Sequence, residues 1–446
     1  MMRLNFFFFF FSISFLLFSQ QQQPKVGLVL SGGGAKGFAH IGVLKAIDKA
    51  GIQIDYIGGT SMGAIIGGLY AVGYSAAQIE EIILKTDFID LLRDKLPRNS
   101  ETFFEKESGE KTVISLPVKR GKINLPRAIS KGQNVLNLLL ELFDIEDEQQ
   151  DFSKLNIPFF CVATDVEKGS SVLLEEGSLP MALRASASFP SLLNPIEVHG
   201  KLLVDGGIAN NFPVSIMASK GMDIIIGVDV EGKLLQKEKI NSAVALLNQI
   251  MSYQMYRNSG EEIKKLDVYI HPEIFKYTVV DFGKKVEILE KGKLEAENFV
   301  KIFEEIAAKQ TSKSQRKKRT FGTEKFLISE IGIEGSFKYT RAYVLGNLKI
   351  KNGDSLSRND ITNKIQLLSA TKNYNTIVYH LDQKIGGGYA LNFKLKEAKL
   401  NGSLKLGVHY DLLYKSSVLA TYSHKNILNS NDLFSIDMIL GDNIRY

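Results

Sequence analysis

A serine flanked by glycines is the feature of this sequence with the clearest chemistry. Residues 59–63 read Gly-Thr-Ser-Met-Gly, the G-x-S-x-G pattern that presents a nucleophilic serine on a sharp strand-to-helix turn. Apolar residues 52–57 predict a strand before the motif, and small residues 64–72 predict a helix after it. A Cβ in place of either glycine would clash with the neighbouring strand and helix. We therefore expect Ser61 to expose its hydroxyl group at this corner.

A glycine loop precedes the serine motif. Residues 32–37 read Gly-Gly-Gly-Ala-Lys-Gly, follow the apolar residues 26–30 and open an apolar helical pattern. Glycines at a helix N-terminus leave backbone N–H groups free, and the helix dipole adds to their attraction for negative charge. The loop therefore predicts either an oxyanion hole or a site for the phosphates of a nucleotide.

The nucleotide interpretation depends on spacing. The loop fits the dinucleotide fingerprint G-x-G-x-x-G, and Asp55 lies about 20 residues on, where a ribose-binding acid is expected. A nucleotide-binding unit has no use for a strained serine at the end of the next strand, whereas acyl transfer needs both parts. Ser61 thus favours the oxyanion hole, and a nucleotide-dependent enzyme stays as an alternative.

A third motif supplies a carboxylate. Asp205, Gly206 and Gly207 follow the strand-like residues 201–204, although most Asp-Gly-Gly triples are only turns. Upstream, residues 184–190 read Arg-Ala-Ser-Ala-Ser-Phe-Pro. This run of small residues is suited to pack beneath an active site.

The motifs in this order resemble the patatin-like phospholipase family. Its pattern is a G-G-G-x-[KR]-G loop, G-x-S-x-G, an A-S-x-x-x-P block and D-G-[AG], which stand here at residues 32–37, 59–63, 185–190 and 205–207. The resemblance covers about residues 24–308. It implies a lipid acyl hydrolase with a three-layer α/β fold. Strands alternating with helices independently predict a parallel-type sheet with helices on both faces.

The resemblance also assigns roles to residues. Ser61 would be the nucleophile and Asp205 its base, without a histidine. The glycine loop would form the oxyanion hole, with Gly32, Gly33, Gly34 and Gly37. Motif-supporting residues would be Lys36, Gly59, Met62, Gly63, Gly206 and Gly207. The implied substrate is a phospholipid or lysophospholipid at a membrane surface, with no cofactor and no metal.

The expected chemistry follows from these roles. Ser61 attacks the ester carbonyl while Asp205 takes its proton, and water later hydrolyses the acyl-enzyme. A carboxylate with an ordinary pKa near about 3.9 is a weak base for a hydroxyl group. We therefore expect burial to raise the pKa of Asp205.

The histidines are few. A Ser-His-Asp triad needs an imidazole, and the chain has six histidines. His40 lies in an apolar helical pattern, which favours a structural role, and His199 precedes a glycine in a predicted hairpin turn. His271 is the one histidine of this region after Asp205, so a triad in the order Ser, Asp, His would have to use it.

Two further features have two interpretations each. Lys36 could offer a cation to a lipid phosphate or be an exposed lysine of the first helical turn. The pattern breaks between residues 91 and 142, where residues 135–143 predict an apolar helix. This insert is either a flap over the site or an ordinary packed helix.

Composition bounds the whole chain. Its 446 residues, 44% of them hydrophobic, are enough for several domains with real cores. The net charge of +6 is spread along the sequence, and no pattern indicates nucleic-acid binding. One basic run, residues 313–319, predicts a solvated linker over residues 309–323, with contact to anionic lipid headgroups as a second interpretation. A homo-oligomer is left open.

The N-terminus predicts export. Residues 1–19 combine Arg3 with an apolar run too short to span a bilayer, which favours a cleaved signal peptide over an uncleaved anchor. Cys161, the single cysteine, lies in an apolar strand-like run and predicts a buried thiol. The sequence therefore excludes an N-terminal lipoprotein and an internal disulfide.

The C-terminal part predicts other modules. Residues 324–398 resemble a small α+β POTRA (polypeptide-transport-associated) module, with some other α+β domain as the alternative. Residues 399–446 alternate with period two, as strands of an outer-membrane barrel do. About three strands fit, whereas bacterial barrels need at least about eight. We expect the start of a truncated barrel; pairing with other chains or a different fold are the alternatives.

This layout predicts an exported protein that is outer-membrane or periplasm-facing, or else secreted. The alternative function is a catalytically silent head of an outer-membrane transport or assembly protein, which binds only lipid or protein.

Overall fold

The computed structural model describes much of the chain. The described residues are 23–96, 114–119, 121–143, 150–232, 234, 236–241, 246, 249–250, 252–253, 260–310, 319, 324–399, 402–411, 415–427 and 432–441. The predicted signal peptide and most of the predicted basic linker lie outside them.

The elements run in the following order. The strands are β1 (Val26–Leu30), β2 (Tyr56–Thr60), β3 (Ile114–Lys119), β4 (Lys122–Ile123), β5 (Ala128–Ser130), β6 (Phe159–Asp165), β7 (Ser171–Leu174), β8 (Ser191–Leu193), β9 (Ile196–Val198), β10 (Lys201–Asp205), β11 (Ile224–Val228), β12 (Val268–Ile270), β13 (Phe326–Glu334), β14 (Ser355–Leu356), β15 (Tyr374–Gln383), β16 (Tyr389–Glu397), β17 (Gly402–Asp411), β18 (Lys415–Lys425) and β19 (Leu433–Gly441). The α-helices are α1 (Ala39–Ala50), α2 (Met62–Ala71), α3 (Ala76–Lys85), α4 (Phe88–Leu92), α5 (Gln133–Leu142), α6 (Leu179–Ser186), α7 (Val214–Ala218), α8 (Lys285–Glu297), α9 (Val300–Lys309), α10 (Arg341–Leu348) and α11 (Arg358–Ala370).

The main sheet has a parallel centre. Strands β12, β11, β1, β2 and β6 pair in that order, all parallel. Strand β1 has no polar residue and is buried throughout, as strands covered on both faces are. The predicted parallel-type sheet is therefore confirmed for these central strands.

The other strands of this sheet are antiparallel, which the sequence did not predict. Strands β7 and β10 pair with β6, and β9 pairs with β10. His199 and Gly200 join β9 to β10 with φ of 49° and 74°. Such two-residue turns join only antiparallel neighbours, so the predicted hairpin turn at His199 is confirmed.

Helices cover both faces of the sheet, as predicted. Alternate residues of β1, Val26 and Leu28 among them, enter a large core that includes residues of α1, α2 and α3. Val29 points to the other face, into a smaller core with Val214 and Met217 of α7. Successive strand residues point to opposite faces, so this single strand contributes to both layers.

The strand before the serine begins later than predicted. It spans Tyr56–Thr60 rather than residues 52–57, and the following helix begins at Met62. Two glycines continue the strand, because a Cβ at Gly58 would lie 2.1 Å from the ring of Phe160. Close packing between neighbouring strands therefore outweighs the low strand propensity of glycine.

The second part of the chain has its own core. In residues 326–397, hereafter the C-terminal module, strands pair in the order β14, β13, β16, β15, and α10 and α11 pack on them. Two helices and the hairpin of β15 and β16 agree with the small α+β unit that the sequence predicted. The POTRA-like assignment itself stays a prediction.

The last described strands form a separate antiparallel sheet. Strands β17, β18 and β19 pair in sequence, and β3 of the insert pairs with the free edge of β17. Period-two strands are thus present where predicted, and the barrel stays a prediction. Among the residues that the structure describes, every helix is too short or too polar to cross a membrane.

Candidate active site

Ser61 occupies a strained turn between β2 and α2. Its φ of 53° and ψ of −123° are unfavourable for a residue with a side chain, and such conformations cost about 1–3 kcal/mol and concentrate at functional sites. A Cβ at Gly63 would lie 2.4 Å from the carbonyl oxygen of Leu30. The glycine therefore allows α2 to start directly against β1, as the motif predicted.

The serine contacts a buried carboxylate. The hydroxyl group of Ser61 donates to Oδ2 of Asp205 at 2.6 Å, and Oδ1 of Asp205 accepts the N–H of Gly207 at 2.8 Å. Ser61 is 8% exposed and Asp205 is 3% exposed. Burial raises the pKa of Asp205 to about 6, against the opposing hydrogen bonds from Ser61 and Gly207. The carboxylate is therefore a stronger base than an exposed aspartate.

The small-residue block lies beneath this pair. The N–H of Ser61 donates to the hydroxyl oxygen of Ser186 at 2.9 Å, and Ser186 donates in turn to the carbonyl of Val162. The N–H of Asp205 donates to the carbonyl of Ser188 at 3.0 Å. One segment at the end of α6 thus holds both site residues.

The glycine loop offers two free N–H groups. Gly33 and Gly34 have no hydrogen-bond partner for their N–H groups among the described residues. Gly34 has a φ of +55°, and a Cβ there would lie 2.3 Å from the carbonyl oxygen of Val279. Only glycine fits this position, and Gly34 lines the pocket beside Ser61.

One of the predicted oxyanion donors, Gly32, is wrong. The N–H of Gly32 donates to the carbonyl of Asn211 at 3.1 Å, so it is not available to an oxyanion. Gly37 lies in a 3-10 turn, Gly34–Phe38, and a Cβ there would lie 2.5 Å from Cγ of Met62. Glycine at position 37 therefore allows close packing against α2, and its role as an oxyanion donor stays a prediction.

Asn211 is a site residue that the sequence analysis missed. Its carbonyl accepts the N–H of Gly32, and its side-chain amide donates to the carbonyl of Gly32 at 3.2 Å. It follows the Asp205 turn and so ties that turn to the glycine loop. Its one sequence signal is a pair of asparagines shortly after an Asp-Gly-Gly motif.

Lys36 fits neither of its predicted roles. It is 8% exposed, it does not line the pocket, and Cβ of a side chain at Gly232 would lie 3.1 Å from its Nζ. Burial lowers its pKa, whereas the charges of Glu231 and Asp229 raise it. Lys36 is therefore a buried counter-charge behind the glycine loop.

The histidines do not join the serine and the aspartate. His40 is fully buried and bonds to the carbonyl of Ser31 at 2.9 Å, and burial lowers its pKa to about 4. It is a neutral structural histidine, as expected. His271 bonds to the carbonyl of Asp229 at 2.9 Å. Both carboxylate oxygens of Asp205 are already occupied, so the Ser-Asp-His arrangement is not formed.

The nucleotide interpretation also fails on geometry. Oδ2 of Asp55 accepts the N–H of Val26 at 2.7 Å, which places this acid at the start of β1. The glycine loop follows the other end of the same strand. A ribose-binding acid must lie beside the loop, so Asp55 cannot serve as one.

Within the described residues, no group of three or more His, Cys, Asp or Glu side chains is placed to hold a metal ion.

An apolar pocket opens next to Ser61. The space between its walls is about 840 Å³, open solvent at its mouth included. Ser61 carries the only polar side chain among the described residues that line it. The apolar lining is Met62, Ile65, Leu69, Ile82, Ile83, Phe88, Leu91, Leu92, Val135, Leu138, Leu139, Leu142, Ala187, Phe189, Leu192, Leu193, Val279 and Phe282.

The insert helix forms one wall of this pocket. Helix α5 directs Val135, Leu138, Leu139 and Leu142 to the cavity, while Leu136 enters the core of the C-terminal module. Of the two interpretations of the insert, the structure thus favours a packed helix, one that also reaches the site.

The fold and the site define an α/β domain with a serine–aspartate pair beside a glycine loop. Residues 28–218 match the family model described as patatin-like phospholipase, and residues 389–446 match the OMP85 superfamily. Residues 28–218 are therefore similar to patatin-like phospholipase domains.

Similar proteins are known from yeasts and bacteria. Lysophospholipase NTE1 of Kluyveromyces lactis is 29% identical over 305 residues, 63% of this chain and 19% of that protein. An uncharacterized NTE family protein of Mycobacterium tuberculosis is 32% identical over 215 residues, 47% of this chain and 50% of that protein. The match spans at most half the length of these relatives.

Two solved structures are similar at low identity. VipD from Legionella pneumophila has a TM-score of 0.36 at 15% identity, with 63% of this chain and 67% of that chain covered. The type III effector ExoU has a TM-score of 0.30 at 17% identity, with 63% of this chain and 53% of that chain covered.

Proposed function

We propose that this protein is a lipid acyl hydrolase of the phospholipase A or lysophospholipase type. The observation that carries the proposal is the 2.6 Å hydrogen bond from Ser61 to Asp205 at the wall of an apolar pocket. A patatin-like phospholipase match over residues 28–218 and relatives named lysophospholipase support the same class of reaction.

The proposed reaction uses the pair as a dyad. Asp205 accepts the proton of Ser61 while Oγ attacks the ester carbonyl. When the tetrahedral intermediate collapses, the bond to the alcohol oxygen breaks, and this oxygen takes the proton from Asp205 and leaves as the alcohol. The N–H groups of Gly33 and Gly34 bind the oxyanion, with the first-turn N–H of Met62 as a further donor. A water molecule, deprotonated by Asp205, then hydrolyses the acyl-enzyme. Losing one such donor typically costs about 100- to 1,000-fold in rate.

The pocket defines the part of the substrate that it holds. Apart from the hydroxyl group of Ser61 and the N–H group of Gly34, both of which the proposed reaction uses, the described lining is apolar, so we assign the pocket to the fatty acyl chain. Burying apolar surface contributes about 25 cal/mol per Å², which supplies binding energy to a long chain and little to a short one. The phosphate-containing part of a phospholipid or lysophospholipid then stays outside the pocket.

We infer the cellular location of the protein from the C-terminal part of the chain. The OMP85 superfamily match over residues 389–446 supports an exported protein at the outer membrane, with residues 1–19 as its signal peptide and a membrane surface as the place of catalysis. A catalytically silent head remains the competing function, and the intact serine, aspartate and free glycine N–H groups argue against it.

The test is ester hydrolysis by the purified protein. We expect release of p-nitrophenol from p-nitrophenyl butyrate and of fatty acid from lysophosphatidylcholine, both lost on Ser61→Ala. The matched control is Ser178→Ala, because the buried hydroxyl group of Ser178 has no partner in the described structure and should leave the rate unchanged. Equal activity of the wild-type protein and Ser61→Ala would refute the proposal.

A further inference from the structure

Helix α5 has two buried faces that serve different parts of the molecule. Val135, Leu139 and Leu142 belong to the core that surrounds the pocket. Leu136 and Leu140 are 1% and 0% exposed and belong to the core of the C-terminal module. The spacing of three or four residues within each set separates the two faces. The helix is therefore a wall shared by the pocket and the module.

The module holds this wall by directed bonds as well as by packing. The side-chain amide of Gln133 donates to the carbonyl of Ile377 at 2.8 Å and accepts the N–H of Ile377 at 2.9 Å. Gln133 thus completes the hydrogen bonding of one residue on strand β15. The hydroxyl group of Tyr379 donates to the carbonyl of Leu140 at 3.3 Å. Both ends of α5 are therefore fixed to the same strand.

A buried arginine connects the start of α5 to the serine site. Arg184 is 1% exposed and donates to the carbonyls of Lys131 and Gly132, directly before α5. It also donates to the hydroxyl group of Ser188, whose carbonyl holds the N–H of Asp205. This contact fixes the start of α5 relative to Ser61 and Asp205. A change in how α5 docks on the C-terminal module should therefore move the other end of the helix, which lines the acyl-binding part of the pocket.

We propose that Gln133, Leu136 and Leu140 determine the acyl-chain selectivity of the pocket, although none of the three lines it. They act as positioning residues: by docking α5 on the C-terminal module, they fix how far Leu138, Leu139 and Leu142 project into the cavity. The proposal rests on the proposed function, because it concerns the acyl chain of the same substrate. It makes the C-terminal module a structural part of the enzyme's specificity.

The first test compares ester chain lengths in the full chain. Gln133→Leu keeps the side-chain volume but removes both bonds to Ile377. We expect the ratio of kcat/KM for p-nitrophenyl laurate to that for the butyrate to fall about tenfold, the size of effect that a misplaced apolar wall produces, with butyrate hydrolysis within about twofold of wild type. Leu140→Met, a volume-conserving change, should shift the ratio in the same direction by less.

A matched control breaks another contact between the same two parts. Lys396 of the module pairs with Glu197 at 2.7 Å, and both side chains are half exposed. Lys396→Ala removes this ion pair without touching α5, and exposed pairs contribute little to stability. Its laurate-to-butyrate ratio should equal that of the wild-type protein.

The second test does not require hydrolysis. Calorimetric titration of lauric acid into Ser61→Ala measures binding to the pocket alone, and adding Gln133→Leu should weaken it about tenfold, as expected for lost apolar complementarity. Weakened binding of lauric acid, together with no esterase activity of the wild-type protein, would support the inference and refute the proposed function. An unchanged laurate-to-butyrate ratio together with unchanged lauric acid binding in a folded Gln133→Leu protein would overturn the inference.

Discussion

Ser61 and Asp205 are 144 residues apart in the chain, yet their side-chain oxygens lie 2.6 Å apart. Strand β6 brings them together. Its Val162 pairs with Thr60, directly before the serine, and its Ala163 pairs with Asp205. Neighbouring residues of one strand thus set the positions of both groups. Strand β10 runs antiparallel to β6, and its last residue, Asp205, lies level with Ala163 and so beside the serine turn.

The pH dependence of hydrolysis should follow Asp205. Burial raises its pKa to about 6, and only the ionised carboxylate accepts the proton of Ser61. We therefore expect kcat/KM to rise with pH through about 6 and to level off above it. A pH–rate profile with a soluble ester checks this prediction, and a rate that keeps its value from pH 7 down to pH 4 would contradict it.

The raised pKa of Asp205 also predicts that the ionised carboxylate, which activity requires, lowers the stability of the folded protein. The folded pKa is above the ordinary value of 3.8, so the folded state binds more protons between about pH 4 and 6, and stability falls as pH rises through this range. At 1.36 kcal/mol per pKa unit, the ionised form costs up to about 3 kcal/mol. Asp205→Asn should thus be inactive yet unfold at a higher temperature than wild type at pH 8.

The control for this comparison is the same variant at low pH. Near pH 4 both proteins carry a neutral group at position 205, so their melting temperatures should converge. If Asp205→Asn melted at a lower temperature than the wild-type protein at pH 8, the ionised carboxylate would stabilise the fold, which contradicts the prediction.

Gly63→Ala should disrupt the serine turn. The added methyl group would lie 2.4 Å and 2.5 Å from the carbonyl oxygens of Leu30 and Ser31, and backbone atoms cannot move aside as a flexible side chain does. We expect loss of activity and a destabilisation of about 1–3 kcal/mol, as for overpacked cores. Denaturant unfolding with an activity assay measures both.

Gly346→Ala is the matched control for that substitution. Gly346 lies in α10, and a Cβ there meets nothing within 4 Å. Alanine should stabilise this helix by about 0.5–1 kcal/mol and leave activity unchanged. Equal effects of the two substitutions would contradict the packing role of Gly63.

Asn211 should affect turnover more than binding. Asn211→Ala removes the amide that holds the carbonyl of Gly32, which loosens the loop carrying the proposed oxyanion donors. We expect kcat to fall about 10- to 100-fold with KM nearly unchanged, the pattern of an interaction used in the transition state. Asn210→Ala is the neighbour control, because the described structure records no side-chain hydrogen bond for it; a similar fall there would refute the assignment.

Lys36 should matter for stability and not for headgroup preference. Lys36→Met removes a buried amino group on which the charges of Glu231 and Asp229 act, so we expect a loss of stability, measured by denaturant unfolding. The ratio of phospholipid to neutral-ester hydrolysis should stay that of wild type; a selective loss of phospholipid hydrolysis would restore the phosphate-binding role.

Local patterns predicted the parts of this molecule that local chemistry determines. Strand β1 was predicted with its observed bounds, because an unbroken apolar run needs cover on both faces. The serine turn and the Asp205 turn were predicted because each needs glycine at fixed positions. These features are set by neighbours in the sequence, and a motif records them.

Long-range contacts were not predictable in the same way. The bond between Asn211 and Gly32 spans 179 residues, and nothing in the sequence near either residue indicates it. Lys36 resembled a surface lysine because its partners, Glu231 and Asp229, follow a distant strand. The two packing faces of α5 could not be predicted, because the sequence of an apolar helix does not indicate which face packs against which neighbouring core.

Covalent labelling tests most directly whether Asp205 activates Ser61 as a nucleophile. A fluorophosphonate reacts with a serine only when a base activates it, and intact-mass and peptide analysis locate the adduct. We expect a single adduct on Ser61 of the full chain, formed about 1,000-fold more slowly or not at all in Asp205→Asn, a loss of the size expected for a catalytic base. An adduct on another serine, or equally fast labelling of Asp205→Asn, would contradict this expectation.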